Sequence, residues 1–176
     1  RRPTNATRER GAENGIMAAP LHLDQRGVLT PCPQCGQTNR IAFDKLGHAA
    51  RCGQCKNAVE ATAQPLEVAS AGDFDLLVEQ SAVPVIVDYW APWCGPCRMV
   101  APELEKVARR ASGRFMVVKV NTDVLTDLGQ RFGIRSIPTL AVFADGREVT
   151  RTTGARPAED IEAFVAQALA ARARTN

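Results

Sequence analysis

The sequence lacks a long apolar run. Although 45% of its 176 residues are hydrophobic, no stretch approaches the roughly 18 consecutive apolar residues that a membrane-spanning helix needs. The Arg-rich start, residues 1–10, is not followed by the apolar segment of a secretory signal. We therefore expect no membrane partner.

An excess of charge of either sign is also missing. The 22 basic and 19 acidic side chains give a net charge of +3 and are spread along the chain. Proteins that bind nucleic acid through phosphate contacts usually carry a strongly basic face, so the balance predicts no nucleic-acid partner. The composition excludes collagen, a coiled coil and a wholly disordered chain.

Six cysteines carry most of the information. They form three Cys-x-x-Cys pairs, namely Cys32 and Cys35, Cys52 and Cys55, and Cys94 and Cys97. Sixteen residues separate the first two pairs, a spacing typical of zinc sites. Three disulfides are the alternative, but they require an oxidising compartment, and the chain has enough apolar residues to form a core without such cross-links. The better interpretation is one metal site and one redox site.

Composition predicts four parts. Residues 1–16 are polar and without hydrophobic period, which indicates a disordered extension, with Met17 as a candidate natural start. Residues 17–61 are predicted to form a metal-binding module, residues 62–65 a linker, and residues 66–176 a larger domain with its own core. Because so small a module buries little surface, we expect metal binding to supply its folding energy.

From residue 66 onward, helical and strand patterns alternate, which predicts an α/β fold. Strands are predicted over residues 66–68, 85–90, 115–120, 139–143 and 148–150. Helices are predicted around Phe74 with Asp73 as N-cap, over residues 95–111 and 124–132, and after Pro157. Asp145 and Gly146 lie between the last two strands and predict a hairpin.

The third cysteine pair follows a predicted buried strand and begins a predicted helix. The helix dipole and free N–H groups at that position favour a thiolate over a thiol. The spacing brings the two sulfurs within disulfide reach, so the pair can attack a substrate disulfide and then release it by closing its own. We predict that Cys94, beside Trp93, is the exposed nucleophile and that Cys97 is the resolving thiol.

The residues around this pair resemble the thioredoxin family. The similar stretches are DYWAPWCGPCRMVAP at 88–102, KVNTD at 119–123, FGIRSIPT at 132–139, Asp145-Gly146 and Gly154. They cover about residues 66–171 and, with the cysteine-rich module, are similar to the zinc-containing thioredoxin 2 type of bacteria. The resemblance implies a thioredoxin fold, a central mixed sheet flanked by helices, and protein-disulfide reductase activity through the Cys-Gly-Pro-Cys dithiol.

The resemblance also implies roles for individual residues. Asp88 matches a buried aspartate that accepts the proton of the resolving cysteine, and its apolar setting agrees, because lost hydration raises the pKa of a carboxyl group. Lys119 matches a lysine near that aspartate, and Pro138 matches a cis-proline. The alternative for Asp88 is a structural aspartate paired with another residue. The alternative for Lys119 is a strand lysine that faces outward. The substrate-facing residues implied in this way are Trp93, Gly95, Pro96, Ile137 and Gly154.

Family partners follow from the same resemblance. It implies a cytoplasmic location, reduction by an NADPH-dependent flavoprotein thioredoxin reductase, disulfide-containing client proteins, no organic cofactor, and a part in electron transport and cell redox homeostasis. An oxidase or isomerase of the same fold uses the same Cys-x-x-Cys arrangement, but Gly95-Pro96 resembles the reducing members.

The first two cysteine pairs look like two knuckles that present four sulfurs to one ion. Four thiolates leave no open coordination position, which predicts a structural zinc ion, with iron as the alternative. His22 and His48 are then expected to stay outside the shell. Nucleic-acid binding and oxidant sensing by zinc release are alternative roles for the module. Its few basic residues and its single aromatic, Phe43, argue against the first.

Overall fold

The computed structural model describes residues 21–111 and 113–174. The predicted disordered extension and Met17 lie outside the described residues. Within the described ranges, no helix is long and apolar enough to cross a membrane.

The N-terminal part, residues 21–61, consists of short strands and one turn of 3-10 helix. The strands are β1 (His22–Asp24), β2 (Gly27–Pro31), β3 (Thr38–Ile41), β4 (Ala50–Arg51) and β5 (Ala58–Val59), and the 3-10 helix is Phe43–Lys45. β1, β2 and β3 form an antiparallel sheet, and β4 pairs with β5. One cysteine pair lies in the turn between β2 and β3, and the other lies in the turn between β4 and β5.

The C-terminal part alternates strands and helices as predicted. Its elements are β6 (Leu66–Glu67), α1 (Ala71–Gln80), β7 (Val85–Trp90), α2 (Gly95–Ala111), β8 (Met116–Asn121), α3 (Thr126–Arg131), β9 (Thr139–Ala144), β10 (Arg147–Thr153) and α4 (Ala158–Ala173). The sheet order is β10-β9-β7-β8-β6. β6, β7 and β8 run parallel, whereas β9 and β10 are antiparallel to their neighbours. The predicted α/β class with a central mixed sheet is confirmed.

Side-chain alternation along the central strand divides the core into two layers. Val85, Val87 and Tyr89 pack with residues of α1 and α3 on one face of the sheet. Ile86 packs with residues of α2 and α4 on the other face. By the same period of two, Asp88 points to the α2 and α4 face. The Asp88 carboxyl group therefore lies on the side of the sheet covered by the helix that carries the redox cysteines.

Two predicted helix starts are wrong. The N-cap of α1 is Ser70 and not Asp73: its Oγ accepts a hydrogen bond of 3.1 Å from the Asp73 N–H, because the chain is still extended at Ser70. α3 begins at Thr126 and not at Val124, because the preceding residues form a turn closed by the Asn121 carbonyl oxygen.

The predicted hairpin between β9 and β10 is confirmed. Asp145 and Gly146 both have positive φ, 49° and 74°, as a two-residue type I′ turn requires. The turn returns β10 along the edge of the sheet and leads to Gly154 near the redox site.

The cysteine-rich module and the sheet share one apolar core. The module residues in it are Leu21, Val28, Ile41, Phe43, Leu46 and Ala61, and they cluster with Leu66, Val68 and Phe74 of the larger part. Only a small separate cluster surrounds the cysteines. Thr62, in the predicted linker, is buried. The expectation of a separate core is therefore wrong, because the short strands of the module cannot enclose their own apolar side chains. The domain boundaries themselves stay a prediction.

Backbone contacts fasten the module to the larger part. The Ala82 N–H donates a 3.0 Å hydrogen bond to the carbonyl oxygen of Phe43. A Cβ placed on Gly47 would lie 2.5 Å from the carbonyl oxygen of Gly113 and 2.5 Å from Val83 Cγ1. These contacts lie at the N-terminal ends of β7 and β8. The redox pair follows the opposite end of β7, so the module docks away from it.

A pair of glycine substitutions tests this docking. Gly47 and Gly36 have similar positive φ values, 82° and 74°, but a Cβ on Gly36 meets nothing within 4 Å. Both Gly→Ala changes should cost about 1–2 kcal/mol in backbone strain. G47A should cost a further 1–3 kcal/mol, approximately, because it pushes the module away from Gly113.

The measurement is denaturant unfolding followed by tryptophan fluorescence. Both tryptophans, Trp90 and Trp93, lie in the C-terminal part, so the signal reports on that part alone. Equal effects of the two substitutions on this transition would contradict the shared core.

Candidate active site and metal centre

The redox cysteines lie where the central strand gives way to a helix. Cys94 directly precedes α2 and Cys97 lies in its first turn. Their sulfurs are bonded at 2.08 Å and their Cα atoms are 5.3 Å apart, so the predicted reach of the pair is observed. The structure is that of the oxidised form.

Cys94 occupies the N-cap position of α2. The Cys97 N–H points at Cys94 Sγ over 3.1 Å, and the Arg98 N–H donates to the Cys94 carbonyl oxygen at 3.3 Å. A side-chain acceptor at this position satisfies one of the free N–H groups of the first turn. When the disulfide is reduced, the same N–H faces the Cys94 sulfur and favours its thiolate form.

The predicted exposure of Cys94 is wrong. Cys94 is 4% exposed and Cys97 is 3% exposed, so burial does not distinguish them. The loop before β9 covers Cys94: the Ile137 carbonyl oxygen lies 3.7 Å from its sulfur. The two cysteines differ instead in their neighbours, because Cys94 adjoins Trp93, whose side chain is 68% exposed.

The loop beside Cys94 has the backbone that the resemblance implied. The Ile137–Pro138 peptide bond is cis. The Gly154 N–H donates a 2.9 Å hydrogen bond to the Pro138 carbonyl oxygen, which places Gly154 next to this loop. Gly95 and Pro96 begin α2 on the other side of Cys94. The structure therefore gathers the implied substrate-facing residues around one sulfur.

An open groove of about 630 Å³ leads away from this point. Trp93 and Ile137 line it, together with Ile134 and residues of α3. The Trp93 indole N–H donates a 2.9 Å hydrogen bond to Asp123 Oδ2, which holds the exposed ring in place. The sequence gives no sign of this bond, because Asp123 is 30 residues from Trp93. Asp123 was not among the predicted site residues.

Asp88 is buried without an adequate partner. Its side chain is 1% exposed, and its Oδ1 has no hydrogen-bond partner among the described residues. Burial raises the pKa of Asp88 to about 7, and the positive charge of Lys119 opposes the rise. The carboxyl group can therefore gain or lose a proton near neutral pH, as a proton acceptor must.

Lys119 lies beside Asp88 in the sheet but does not pair with it. The two residues are in register between β7 and β8. The Lys119 ammonium lies 4.1 Å from the centre of the Trp90 ring and 3.9 Å from Glu67 Oε2. Among the described residues it forms no ion pair with Asp88 within 4.0 Å. Glu67 was missed by the sequence analysis, because the register of the two-residue strand β6 cannot be derived from the sequence.

The four module cysteines form a single cluster whose sulfurs all lie within 4.8 Å of one another. Cys32 Sγ is 3.5 Å from Cys55 Sγ, and Cys35 Sγ is 3.6 Å from Cys52 Sγ. Four sulfurs bound tetrahedrally to zinc at about 2.3 Å would be about 3.8 Å apart, so the cluster fits such an ion. Neither histidine of the module belongs to the cluster.

Neighbouring N–H groups support the thiolate form of Cys52. The Gln54 N–H and the Asn39 side-chain amide lie 3.4 Å and 3.6 Å from its sulfur. The pKa of Cys52 falls to about 6, with the backbone N–H of Cys55 as the largest cause. Such N–H donors are typical of the surroundings of metal-bound sulfur. Asn39 was also missed, because it reaches the cluster from β3.

A redox-active disulfide at the start of a helix, beside a cis-proline loop and above a buried carboxyl group, defines a thiol–disulfide oxidoreductase. Comparisons with known proteins agree. The family model described as thioredoxin matches residues 64–167, and the zinc-ribbon model described as thioredoxin 2, N-terminal, matches residues 31–57. The chain belongs to the thioredoxin family, whose members are protein-disulfide oxidoreductases.

Relatives and solved structures with similarity to this chain are also thioredoxins. The chain is 54% identical over 80 residues to thioredoxin 1 of Synechococcus elongatus, covering 46% of this chain and 75% of that protein. It is 34% identical over 155 residues to the chloroplastic thioredoxin M-type of Zea mays, covering 88% of this chain and 86% of that one. A mutant thioredoxin of Halobacterium salinarum superposes with a TM-score of 0.55 at 30% identity, covering 59% of this chain and 89% of the other.

The burial of Asp88 predicts a pH-dependent effect of Asp88→Asn on stability. The folded-state pKa is about 7 against an ordinary value of 3.8, so the wild-type protein loses stability as pH rises from about 4 to about 7. The amide has no such penalty. The stability advantage of D88N should therefore be absent near pH 4, grow through this window, and level off above pH 7 at up to about 4 kcal/mol.

Urea unfolding at several pH values measures this difference. Asp44→Asn, at an exposed position, is the control and should show no comparable trend. An advantage of D88N that is the same at pH 4 and pH 8 would mean that the carboxyl group is not held protonated by burial.

Proposed function

We propose that this protein reduces disulfide bonds of other proteins by thiol–disulfide exchange through Cys94 and Cys97. The observation that supports this most directly is the position of Cys94 Sγ. It faces the N–H of Cys97 at 3.1 Å on one side and the carbonyl oxygen of Ile137 at 3.7 Å on the other. A sulfur held in this way has its anion stabilised and lies beside a loop that an extended substrate chain can follow.

The reaction proceeds in two exchanges that transfer two electrons. The Cys94 thiolate attacks one sulfur of the substrate disulfide, a Cys94–substrate disulfide forms, and the other substrate sulfur leaves as a thiolate. The Cys97 thiolate then attacks Cys94 Sγ. The Cys94–Cys97 bond forms, and the second substrate sulfur leaves. The substrate gains two electrons and the Cys94–Cys97 dithiol is oxidised to a disulfide.

Asp88 serves the second exchange. Cys97 must lose its proton before it attacks, and the carboxyl group buried on the α2 face of the sheet accepts it. With a pKa near 7, Asp88 is partly ionised at neutral pH and can also return the proton afterwards. Lys119 adds a positive charge on the same face, which limits how far burial raises that pKa.

The substrate chain is bound by apolar contact and by backbone groups. Trp93 and Ile137 form the walls of the groove nearest to Cys94. Gly95, Pro96 and Gly154 lie around the sulfur without bulky side chains, so a second polypeptide can approach it closely. Pro138 orients the preceding carbonyl of Ile137 beside the reacting sulfurs.

The dipeptide between the cysteines favours reduction of the substrate, and the oxidised pair must then be reduced again by a partner. Gly95 and Pro96 resemble the reducing members of the family. The oxidised pair then needs two electrons from a reductant, which we assign to an NADPH-dependent flavoprotein thioredoxin reductase in the cytoplasm. Client proteins are those with accessible disulfides.

The module cysteines hold one structural zinc ion in this proposal. Four sulfur ligands fill a tetrahedral shell, so the ion has no position for substrate and acts only on folding. Cys32, Cys35, Cys52 and Cys55 supply the bonds, and the N–H donors to Cys52 favour its ionised form. Iron is the alternative occupant of such a sulfur set.

Substitution of each redox cysteine tests the order of attack. Cys94→Ser should abolish insulin reduction, because the attacking sulfur is gone. Cys97→Ser should also stop turnover but accumulate a stable Cys94–insulin disulfide, because attack proceeds and resolution does not. Non-reducing gels and mass spectrometry detect the adduct. An adduct formed by C94S and not by C97S would reverse the assigned roles.

Metal analysis tests the module. The purified protein should contain about one zinc per chain and should be colourless, whereas iron bound to four sulfurs absorbs visible light. Cys52→Ser should lose the metal and lower stability, while Cys97→Ser should retain it. Full metal content in C52S, or a coloured iron protein, would contradict the assignment.

A further inference from the structure

Three charged side chains lie in one row across the sheet. Glu67 on β6 is in register with Lys119 on β8, and Lys119 is in register with Asp88 on β7. Residues in register on neighbouring strands point to the same face, so the order of charge across this face is negative, positive, ionisable. The row ends at Leu140 of β9, which is the apolar partner of Asp88 on its other side.

The Lys119 side chain is directed toward the Glu67 end of this row. Its ammonium lies 3.9 Å from Glu67 Oε2 and 4.1 Å from the centre of the Trp90 ring. The side chain of Glu67 is 50% exposed and that of Lys119 is 21% exposed. The ammonium therefore has two partners at the rim of the sheet, and within the described ranges it makes no ion pair with Asp88.

We infer that Glu67 is a positioning residue for the redox site: its carboxylate holds the Lys119 ammonium at the edge of the sheet, over Trp90, and out of ion-pair distance of Asp88. Without Glu67, the carboxyl group left in register with Lys119 on a neighbouring strand is that of Asp88. The flexible lysine side chain can then turn inward. Asp88 would acquire a partner that stabilises its ionised form.

The electrostatic surroundings of Asp88 make it sensitive to this movement. The positive charge of Lys119 acts on Asp88 and lowers the pKa of its carboxyl group, against the effect of burial. The Cys94–Cys97 disulfide on the same face is uncharged in the oxidised form. Because two unit charges in a partly buried site interact strongly at 4 Å, a short inward shift of Lys119 changes the proton affinity of Asp88 substantially.

The test is an NMR titration of the Asp88 carboxyl carbon in the oxidised, full-length, metal-loaded protein. The direct field of Glu67 acts across two strand spacings, about 10 Å, so it is weaker at Asp88 than the field of a lysine ammonium that moves close to it. Glu67→Gln should lower the Asp88 midpoint by about half to one pH unit, mainly because Lys119 is released. In a K119M background the same substitution should produce less than half of that shift.

Two controls separate positioning from other effects. Glu105→Gln breaks a similar exposed ion pair, with Arg109 at 3.8 Å, and should leave the Asp88 midpoint unchanged. Glu67→Asp keeps the negative charge and should retain most of the wild-type midpoint. Equal shifts from E67Q with and without Lys119, or no shift in either background, would overturn the inference.

The kinetic consequence rests on the proposed proton-acceptor role of Asp88 and has its own readout. The pH profile of insulin reduction by E67Q should move to lower pH by the same amount as the NMR midpoint. A midpoint that moves while the rate profile does not would support the positioning by Glu67 and would contradict the role of Asp88 in the reaction.

Discussion

The central strand of this protein carries a carboxyl group into a place where water cannot reach it. Asp88 is surrounded by apolar sheet residues, and its Oδ1 finds no hydrogen-bond donor in the described structure. An ionised group in such a place is costly, so the site holds its proton until pH approaches neutrality. The buried carboxyl group therefore lowers the stability of the folded protein at neutral pH. The same burial gives the helix that carries the redox cysteines a nearby group that can exchange a proton.

The rest of the fold keeps that arrangement intact. The redox cysteines, Lys119 and Glu67 lie on the face of the sheet covered by α2 and α4, and the cysteine-rich module packs into the core of the opposite face. The module's apolar residues and the redox cysteines thus lie on opposite faces of the sheet. They remain linked through stability, because apolar residues of the module complete the layer beneath α1.

Local patterns predicted the parts of the fold that local forces determine. The helix at Gly95–Ala111 was predicted to the residue, because its apolar stripe and start signal agree, and the hairpin at Asp145 and Gly146 followed from their tolerance of positive φ. Contacts between distant segments could not be predicted from local patterns. The cover over Cys94 comes from Ile137, 43 residues later. The backbone hydrogen bond that attaches the module joins the Ala82 N–H to the Phe43 carbonyl oxygen. The cis bond at Pro138 was expected only from the family resemblance.

The direction of the reaction is the central claim, and the equilibrium potential of the Cys94–Cys97 pair tests it most directly. Tryptophan fluorescence, with Trp93 adjoining the disulfide, can follow the pair through dithiothreitol or glutathione buffers of known ratio at pH 7. A reductase should give about −270 mV, the value typical of thioredoxins. A potential of about −180 mV, as in protein disulfide isomerases, or one still more oxidising, would contradict the account.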